Sequence, residues 1–331
     1  MLDQVLDLFD IHPDYDLDIM QPDQSLSASM ASMLTRLEPV LKEANPDWVL
    51  VQGDTSTVLA AGMLAYYHHI QVGHVEAGLR TGDKWQPFPE ELNRKLAAVV
   101  TDLHFAPTEK ARQNLMAEGY ADEKIVVTGN PVIDALNHIL ELDYDLFQNP
   151  LQGLSRDRRF VLITAHRREN FGPPLLNIFS ALRALAERYA GQVEFVYPVH
   201  MNPNVHNPAH EHLSGIDNMH LLEPMDYLPM AHLMRQADLI LTDSGGLQEE
   251  GPAVGTPVLV MRAVTERPEA IEAGVARLVG TDAETIIQQA SRLLDDPVAH
   301  TAMAQAANPF GDGHAAERIV AALLERAGEA E

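Results

Sequence analysis

The sequence contains no cysteine, few basic residues and no long apolar run. The absence of cysteine excludes disulfide bonds, zinc sites built from thiolates and a thiol nucleophile. No apolar stretch is long enough to cross a bilayer, and the aspartate-rich N-terminus does not have the form of a signal peptide. We therefore expect a cytoplasmic protein with no membrane partner.

Positive charge is scarce, with 23 basic residues against 48 acidic ones and a formal net charge of −25. Such a charge repels phosphates at long range, so we expect no nucleic-acid partner. One nucleotide could still bind at a local cluster of Arg, His and backbone N–H groups. The sequence has no HExxH motif and no EF-hand loop, so a metal site is the minor interpretation.

The 331 residues, 46% of them apolar, are enough for two domains that each bury a core. Apolar runs alternate with helical patterns, which is typical of a parallel sheet with crossover helices. The predicted strands are Trp48–Gln52, Gln71–Val75, Leu103–Ala106, Ile125–Thr128, Phe160–Thr164, Val193–Val199, Leu239–Thr242 and Pro257–Met261. The first of them is expected to be buried. The pattern predicts an α/β fold with two Rossmann-like domains that face each other across a cleft.

The polar, irregular segment Leu142–Arg159 is expected to separate the domains. We predict a first domain over residues 1–140, a second over 141–313, and a C-terminal helix within 314–331 that packs back on the first. The chain starts with the amphipathic pattern Leu2–Phe9 and not with a buried strand. The first sheet is therefore expected to lack its opening strands.

Polar residues follow several predicted strands at their carboxyl ends, namely Asp54, Glu76, His166, His200 and Ser244. Ligands of open α/β sheets bind outside these ends. Each residue alone could be a strand-end cap or part of a turn. The set as a whole favours a ligand site.

The turn Asp243-Ser244-Gly245-Gly246 lies between a strand and a helix. Two glycines allow close approach of the backbone to a ligand, and free N–H groups at a helix start favour phosphate. The carboxylates of Glu249 and Glu250 could accept the hydroxyls of a ribose. Alternatively, they only complement the helix dipole.

Cationic side chains cluster at His166, Arg167 and Arg168, which favours an anion such as a pyrophosphate. The alternative is a set of salt bridges to Glu169 and other acids. Arg267, beside Pro268, could donate a fork of hydrogen bonds to phosphate or be a solvated surface charge.

Three carboxylates, those of Asp54, Glu76 and Glu90, are candidates for acid and base roles. Several carboxylates in one cleft can divide these roles, because different environments separate their pKa values. Glu90 opens a helix, where its charge suits the dipole even without a function.

With these residues in place, the chain resembles the non-hydrolysing UDP-N-acetylglucosamine 2-epimerases. The matching stretches occur in family order from one end of the chain to the other. They are Gly53-Asp54-Thr55, His74–Thr81, Pro87–Arg94, His166–Asn170, Tyr197–Pro203, Thr242–Glu250, Thr265–Ala270 and Asn308–Gly313. No single stretch is specific, but the combination is.

The resemblance implies a glycosyltransferase-B-like fold and interconversion of UDP-GlcNAc with UDP-ManNAc. In this family UDP is eliminated to give a 2-acetamidoglucal and is then added back, without a cofactor. The resemblance places Asp54, Glu76, Glu90 and His166 at catalytic positions. It places the following at substrate- or UDP-binding positions: Arg94, His200, Ser244, Gly245, Gly246, Glu250 and Arg267. Arg167 and Arg168 match a region that shapes a second, regulatory substrate site in bacterial relatives. The resemblance also implies a homodimer and a product used for surface polysaccharides.

The chain departs from the family pattern at three places. Family members open with a strand, a Gly-Thr-Arg-Pro-Glu loop and a second strand, whereas Met1 aligns inside the helix that follows. We therefore expect an N-terminally truncated member with a loose first domain and little turnover. Ala263-Val264 replaces the usual Asp-Thr, and Asp23 stands where some relatives carry an Arg near the regulatory site.

Three alternative functions stay open at this point. A hydrolysing epimerase would release free ManNAc and UDP. A glycosyltransferase would need an acceptor and would leave the donor split. An inactive fragment would keep UDP binding without turnover.

Overall fold

The computed structural model describes residues 2–21 and 24–328 and divides into two compact units. The first-sheet unit comprises residues 10–134 and the segment from Phe310 onward. The second-sheet unit comprises residues 135–309 and the N-terminal segment up to Phe9. Asp23 lies outside the described residues. Within the described ranges, no helix is both long and apolar enough to cross a membrane.

The regular elements alternate along the chain as a parallel α/β fold requires. The strands are β1 (Trp48–Gln52), β2 (Gln71–Val75), β3 (Leu103–Ala106), β4 (Ile125–Val127), β5 (Arg159–Thr164), β6 (Val193–Pro198), β7 (Met219–Leu222), β8 (Leu239–Thr242), β9 (Val258–Val260) and β10 (Ala276–Leu278). The helices are α1 (Leu2–Leu8), α2 (Leu26–Ala44), α3 (Ser56–Tyr67), α4 (Glu90–Val99), α5 (Glu109–Ala117), α6 (Pro131–Leu140), α7 (Pro173–Arg188), α8 (Pro203–Leu213), α9 (Tyr227–Gln236), α10 (Leu247–Ala253), α11 (Pro268–Glu272), α12 (Ala283–Asp295), α13 (Pro297–Ala304) and α14 (Ala315–Gly328).

The first sheet has the order β1-β2-β3-β4, with every pair parallel. The expectation that Trp48–Gln52 is a buried strand is wrong. Strand β1 lies at the edge of this sheet, and Leu50 at its centre is 50% exposed. A side chain at an edge lacks a neighbouring strand on one side, so an apolar run alone does not guarantee burial.

The second sheet has the order β10-β9-β8-β5-β6-β7 and is also parallel. Its central strand β5 carries the apolar run Phe160–Ile163, which is fully buried because helices cover both faces of such a sheet. The edge strands β7 and β10 were not predicted, since each is short and mixes polar with apolar residues. Two Rossmann-like parallel sheets confirm the predicted α/β fold class.

The two ends of the chain belong to different units. Helix α1 clusters with the second sheet, where Phe9 stacks on His138 at 5.6 Å between ring centroids. Helix α14 clusters with the first sheet, where Arg318 donates a 3.0 Å hydrogen bond to the carbonyl of Thr128. Residues 141–158 form neither helix nor strand.

Candidate functional site

In the first-sheet unit, Asp54 lies just beyond β1 and forms an ion pair with Arg94 of α4. One carboxylate oxygen, Oδ2, accepts hydrogen bonds from Nε at 2.9 Å and from Nη2 at 2.5 Å. The Arg94 side chain is only 3% exposed, against 22% for Asp54. Two predicted site residues therefore contact each other, and the carboxylate of Asp54 is the more exposed of the two groups.

Glu91, which was not predicted from the sequence, is the third member of this cluster. Its side chain is fully buried and accepts a hydrogen bond from Nη1 of Arg94 at 3.1 Å. The same carboxylate accepts from the backbone N–H groups of Thr81 and Gly82, each at 3.1 Å. Glu91 thus connects Arg94 to the start of the loop that leads to α4.

Glu76 follows β2 and adopts a left-handed backbone conformation with φ of 62°. A residue with a side chain rarely adopts this region, and it costs roughly 1–3 kcal/mol where it occurs. One carboxylate oxygen of Glu76 accepts a hydrogen bond from Nδ2 of the buried Asn130 at 3.2 Å. Strain combined with a fixed carboxylate is typical of a functional position.

Glu90 begins α4 and is half-buried. Its carboxylate accepts no hydrogen bond from any residue in the described part of the chain. It therefore differs from Asp54, which is engaged by Arg94, and from its buried neighbour Glu91.

Two buried histidines lie side by side on β2 and β3, where His74 and His104 are paired in register. His74 places Nε2 2.7 Å from the carbonyl of Gly53, so this nitrogen carries the hydrogen. Burial lowers the pKa of His74 to about 4 and that of His104 to about 3. Both rings are neutral at physiological pH and belong to the core.

In the second-sheet unit, the fully buried carboxylate of Asp243 organises the residues that follow β5. It accepts hydrogen bonds from the backbone N–H groups of His166 and Arg167, and from Nδ2 of Asn170 at 3.0 Å. The sequence analysis gave no role to this residue. The available signal was an aspartate between an apolar strand and a Ser-Gly-Gly turn.

The imidazoles of His166 and His200 stack with ring centroids 5.5 Å apart and an interplanar angle of 17°. Burial lowers the pKa of His166, although Asp243 opposes the shift from 3.6 Å away. Nδ1 of His200 accepts a hydrogen bond from the backbone of Asn202 at 3.0 Å. The structure thus brings these two predicted site residues together, with His166 uncharged near neutral pH.

Arg167 and Arg168 differ in their surroundings. Nε of Arg167 donates to the carbonyl of Asp243 at 3.3 Å. Arg168 begins a short 3-10 turn and is exposed. Of the alternative salt bridges, Glu169 pairs with Arg262 at 2.6 Å, whereas His166 has an acid nearby, since its Nδ1 lies 3.6 Å from Asp243.

The turn formed by Ser244, Gly245 and Gly246 leads directly into α10, as predicted. The N–H of Ser244 donates to the hydroxyl of Thr242 at 2.8 Å. A Cβ atom on Gly245 would lie 2.6 Å from Nη1 of Arg267, so a larger residue here would displace this guanidinium. The amides of Gly245 and Gly246 donate to none of the described residues, which leaves them available to an anion.

Arg267 is buried in a network of ion pairs and is not a surface charge. Its Nε donates to Glu249 and its Nη1 donates to Glu266 at 2.7 Å. Glu266 also accepts from Arg262 at 2.8 Å. Burial opposes the charge of Glu266, but Arg267 and Arg262 lower its pKa to about 2. Glu249 is therefore engaged by Arg267, whereas Glu250 accepts a hydrogen bond from the Tyr227 hydroxyl at 2.7 Å.

The described residues contain no cluster of three or more His, Asp or Glu side chains that could hold a metal ion. What the structure does bring together is the carboxylates of Asp54 and Glu91 around Arg94 at the end of the first sheet, and, at the end of the second, two stacked histidines and a glycine turn that approaches Arg267. Each group lies at the carboxyl ends of parallel strands, as the sequence predicted.

Comparison with known proteins identifies the family of this chain. Residues 1–324 match the sequence profile of the UDP-N-acetylglucosamine 2-epimerases. The chain belongs to this family. The predicted family and the predicted enzyme class, an isomerase, are both confirmed.

Individual relatives match over nearly the whole chain. A probable UDP-N-acetylglucosamine 2-epimerase of Ralstonia solanacearum is 52% identical over 98% of this chain and 88% of its own length. The Bacillus subtilis enzyme is 49% identical over 98% of this chain and 84% of its own length. The crystal structure of the Neisseria meningitidis enzyme bound to UDP-GlcNAc has a TM-score of 0.93 and 46% identity, covering 98% of this chain and 88% of that one.

Proposed function

We propose that this protein interconverts UDP-GlcNAc and UDP-ManNAc by eliminating UDP and adding it back. The main support is the 46% identity, over 98% of the chain, to a relative whose solved structure holds UDP-GlcNAc. The carboxylates and cations described above are the residue types that such a reaction needs.

In the first step a base takes the proton from C2 while the bond between C1 and the UDP oxygen breaks. The electrons of the C2–H bond form the C1=C2 double bond of 2-acetamidoglucal, and UDP leaves as the anion. In the second step the UDP oxygen attacks C1 and an acid delivers a proton to the opposite face of C2. C2 is thereby inverted and no redox cofactor is needed.

The proton transfers require two carboxylates with different environments. Glu90 accepts no hydrogen bond within the described ranges, and Glu76 is oriented by Asn130. We assign the proton transfers at C2 to these two residues. Asp54 is already engaged by Arg94, so its role is to stabilise the positive charge that develops at C1. Arg94, predicted to bind substrate, acts through Asp54, because its own side chain is only 3% exposed.

The departing pyrophosphate requires donors and cations. His166 with its stacked neighbour His200, the amides of Gly245 and Gly246, and Arg267 supply them. Ser244 completes the turn, and Glu250 binds the ribose.

Arg167 and Arg168 stay predicted as part of a second, regulatory substrate site. The homodimer and the cytoplasmic location also stay predictions.

The test is product analysis by NMR after incubation with UDP-GlcNAc. The proposal requires UDP-ManNAc in equilibrium with the substrate. Free ManNAc with UDP would identify a hydrolysing enzyme, and UDP binding without any product would identify an inactive fragment.

A further inference from the structure

Tyr227, the first residue of α9, occupies a position that the proposed reaction does not explain. It follows the run Glu223–Asp226 after β7 and is partly buried. Tyr227 is one of the residues that line a cavity of about 610 Å³ in the second-sheet unit, together with Tyr144, Leu222 and Met225. It therefore borders an open space.

The Tyr227 hydroxyl donates a 2.7 Å hydrogen bond to Oε1 of Glu250 on α10. The Glu250 side chain is buried, and burial raises its pKa, whereas Tyr227 and Arg267 act in the opposite direction. A phenol that donates to a carboxylate favours the charged form. Tyr227 therefore opposes the effect of burial on the pKa of the Glu250 carboxyl group.

The second oxygen of Glu250 faces the glycine turn. A Cβ atom on Gly246 would lie 3.2 Å from Oε2 of Glu250. The phenol occupies Oε1, and Oε2 therefore faces the turn. The nucleotide is proposed to bind at this turn. The hydrogen bond from Tyr227 thus fixes the rotation of the carboxylate about its last bond.

We propose that Tyr227 is a positioning residue that orients Glu250 to recognise the ribose hydroxyls of the nucleotide. This inference rests on the proposed function, in which Glu250 contacts the ribose. A carboxylate that accepts a ribose hydroxyl discriminates against a deoxyribose only while its free oxygen is held in place. Without the phenol, the carboxylate can rotate, and its bond to the hydroxyl loses part of its strength.

Calorimetric titration of the wild-type protein and Tyr227→Phe with UDP and with 2′-deoxy-UDP tests the proposal. The wild type should bind UDP at least about tenfold more tightly than 2′-deoxy-UDP, as expected for a hydrogen bond to a charged group. In Tyr227→Phe the preference should fall to about threefold or less, with little change for 2′-deoxy-UDP. Tyr144→Phe is the matched control, since Tyr144 lines the same cavity and stacks on His232 instead.

A double-mutant cycle with Glu250→Gln separates positioning from packing. If Tyr227 acts through Glu250, Tyr227→Phe should not reduce the preference further in the Glu250→Gln background. An unchanged preference in Tyr227→Phe, or an equal loss for both nucleotides, would overturn the proposal while leaving UDP binding established. Failure of the wild type to bind UDP at all would instead overturn the proposed function.

Discussion

Arg94 directs two hydrogen bonds at a single oxygen of Asp54, from Nε at 2.9 Å and from Nη2 at 2.5 Å. Its remaining terminal nitrogen, Nη1, donates to the fully buried Glu91. One arginine thus neutralises a structural carboxylate and orients a candidate catalytic one. Under the proposed function, the stability of the first-sheet unit and the turnover of the protein should therefore both depend on Arg94.

Replacing Arg94 should therefore damage both properties. Arg94→Met leaves Glu91 buried without its cation, which should lower the free energy of unfolding by about 3–5 kcal/mol. Arg94→Lys keeps the charge but not the fork and should lose less stability than Arg94→Met, with turnover still reduced. Urea unfolding and a turnover assay measure the two effects. Equal stability of the wild type and Arg94→Met would show that the cluster is not a structural unit.

The same contact changes the expectation for Asp54→Asn. From the sequence alone, this variant is expected to lose turnover with nearly unchanged melting. Because the structure pairs Asp54 with Arg94, the variant should also lose roughly 1–3 kcal/mol of stability. Glu109→Gln, a surface change in the same unit, serves as the control for both measurements.

Glu76 offers a test that compares two small replacements. Glu76→Ala and Glu76→Gly both remove the carboxylate, so turnover should fall by roughly a hundredfold or more in each. Because φ is 62° at this position, the glycine variant should be more stable than the alanine variant by about 1 kcal/mol. Thermal unfolding of the pair measures the difference. A more stable alanine variant would argue against backbone strain at Glu76.

Strands and their polar carboxyl ends could be predicted from the sequence because both are local. A buried run such as Phe160–Ile163 followed by His166 is visible in consecutive residues. The partners of these polar residues were not predictable in the same way. Asp243 meets His166 across 77 positions, and Tyr227 meets Glu250 across 23. Such pairs depend on how strands are ordered in the sheet, which periodicity does not reveal.

The interpretation of Arg267 shows the same limit. A single arginine beside a proline can lie on the surface or in a site, and only the three-dimensional packing distinguishes them. Its contacts with Glu249 and Glu266, and its approach to Gly245, place it inside the unit. Edge strands β7 and β10 were missed for a related reason, since partly exposed strands do not carry a continuous apolar run.

Arg267→Ala should weaken UDP binding by about 1.5–3 kcal/mol if the guanidinium contacts the pyrophosphate. The buried network predicts that this variant also loses stability, because Glu249 and Glu266 lose a cation. Calorimetry must therefore be performed well below the melting temperature. Arg235→Ala, an exposed change on α9, is the control. Unchanged UDP affinity in Arg267→Ala would give the residue a purely structural role.

The buried histidines predict how stability depends on pH. The pKa of His104 in the folded state is about 3, below its value of about 6.5 in the unfolded chain. The unfolded state therefore binds more protons between these values, and stability is lost as the pH falls below 6.5. His74, with a pKa of about 4, acts in the same direction.

His104→Phe should remove one part of this acid sensitivity. Both ring nitrogens of His104 are buried without a partner in the described structure, and the ring packs on Tyr120 at 4.8 Å, so phenylalanine loses no hydrogen bond. When the pH falls from 7.5 to 5, the free energy of unfolding of the variant should decrease by about 2 kcal/mol less than that of the wild type. His12→Gln, at an exposed site, is the control and should lose as much stability over this pH range as the wild type. Parallel pH profiles for His104→Phe and the wild type would contradict the assignment.

The central claim, that C2 is deprotonated and reprotonated during elimination and re-addition of UDP, is tested most directly in heavy water. The enzyme is incubated with UDP-GlcNAc in deuterium oxide, and the C2 position of the product is examined by NMR. Our account predicts UDP-ManNAc carrying deuterium at C2, because the proton removed by one carboxylate is replaced from the opposite face by a group that exchanges with solvent. UDP-ManNAc that retains its original hydrogen at C2 would contradict the elimination mechanism.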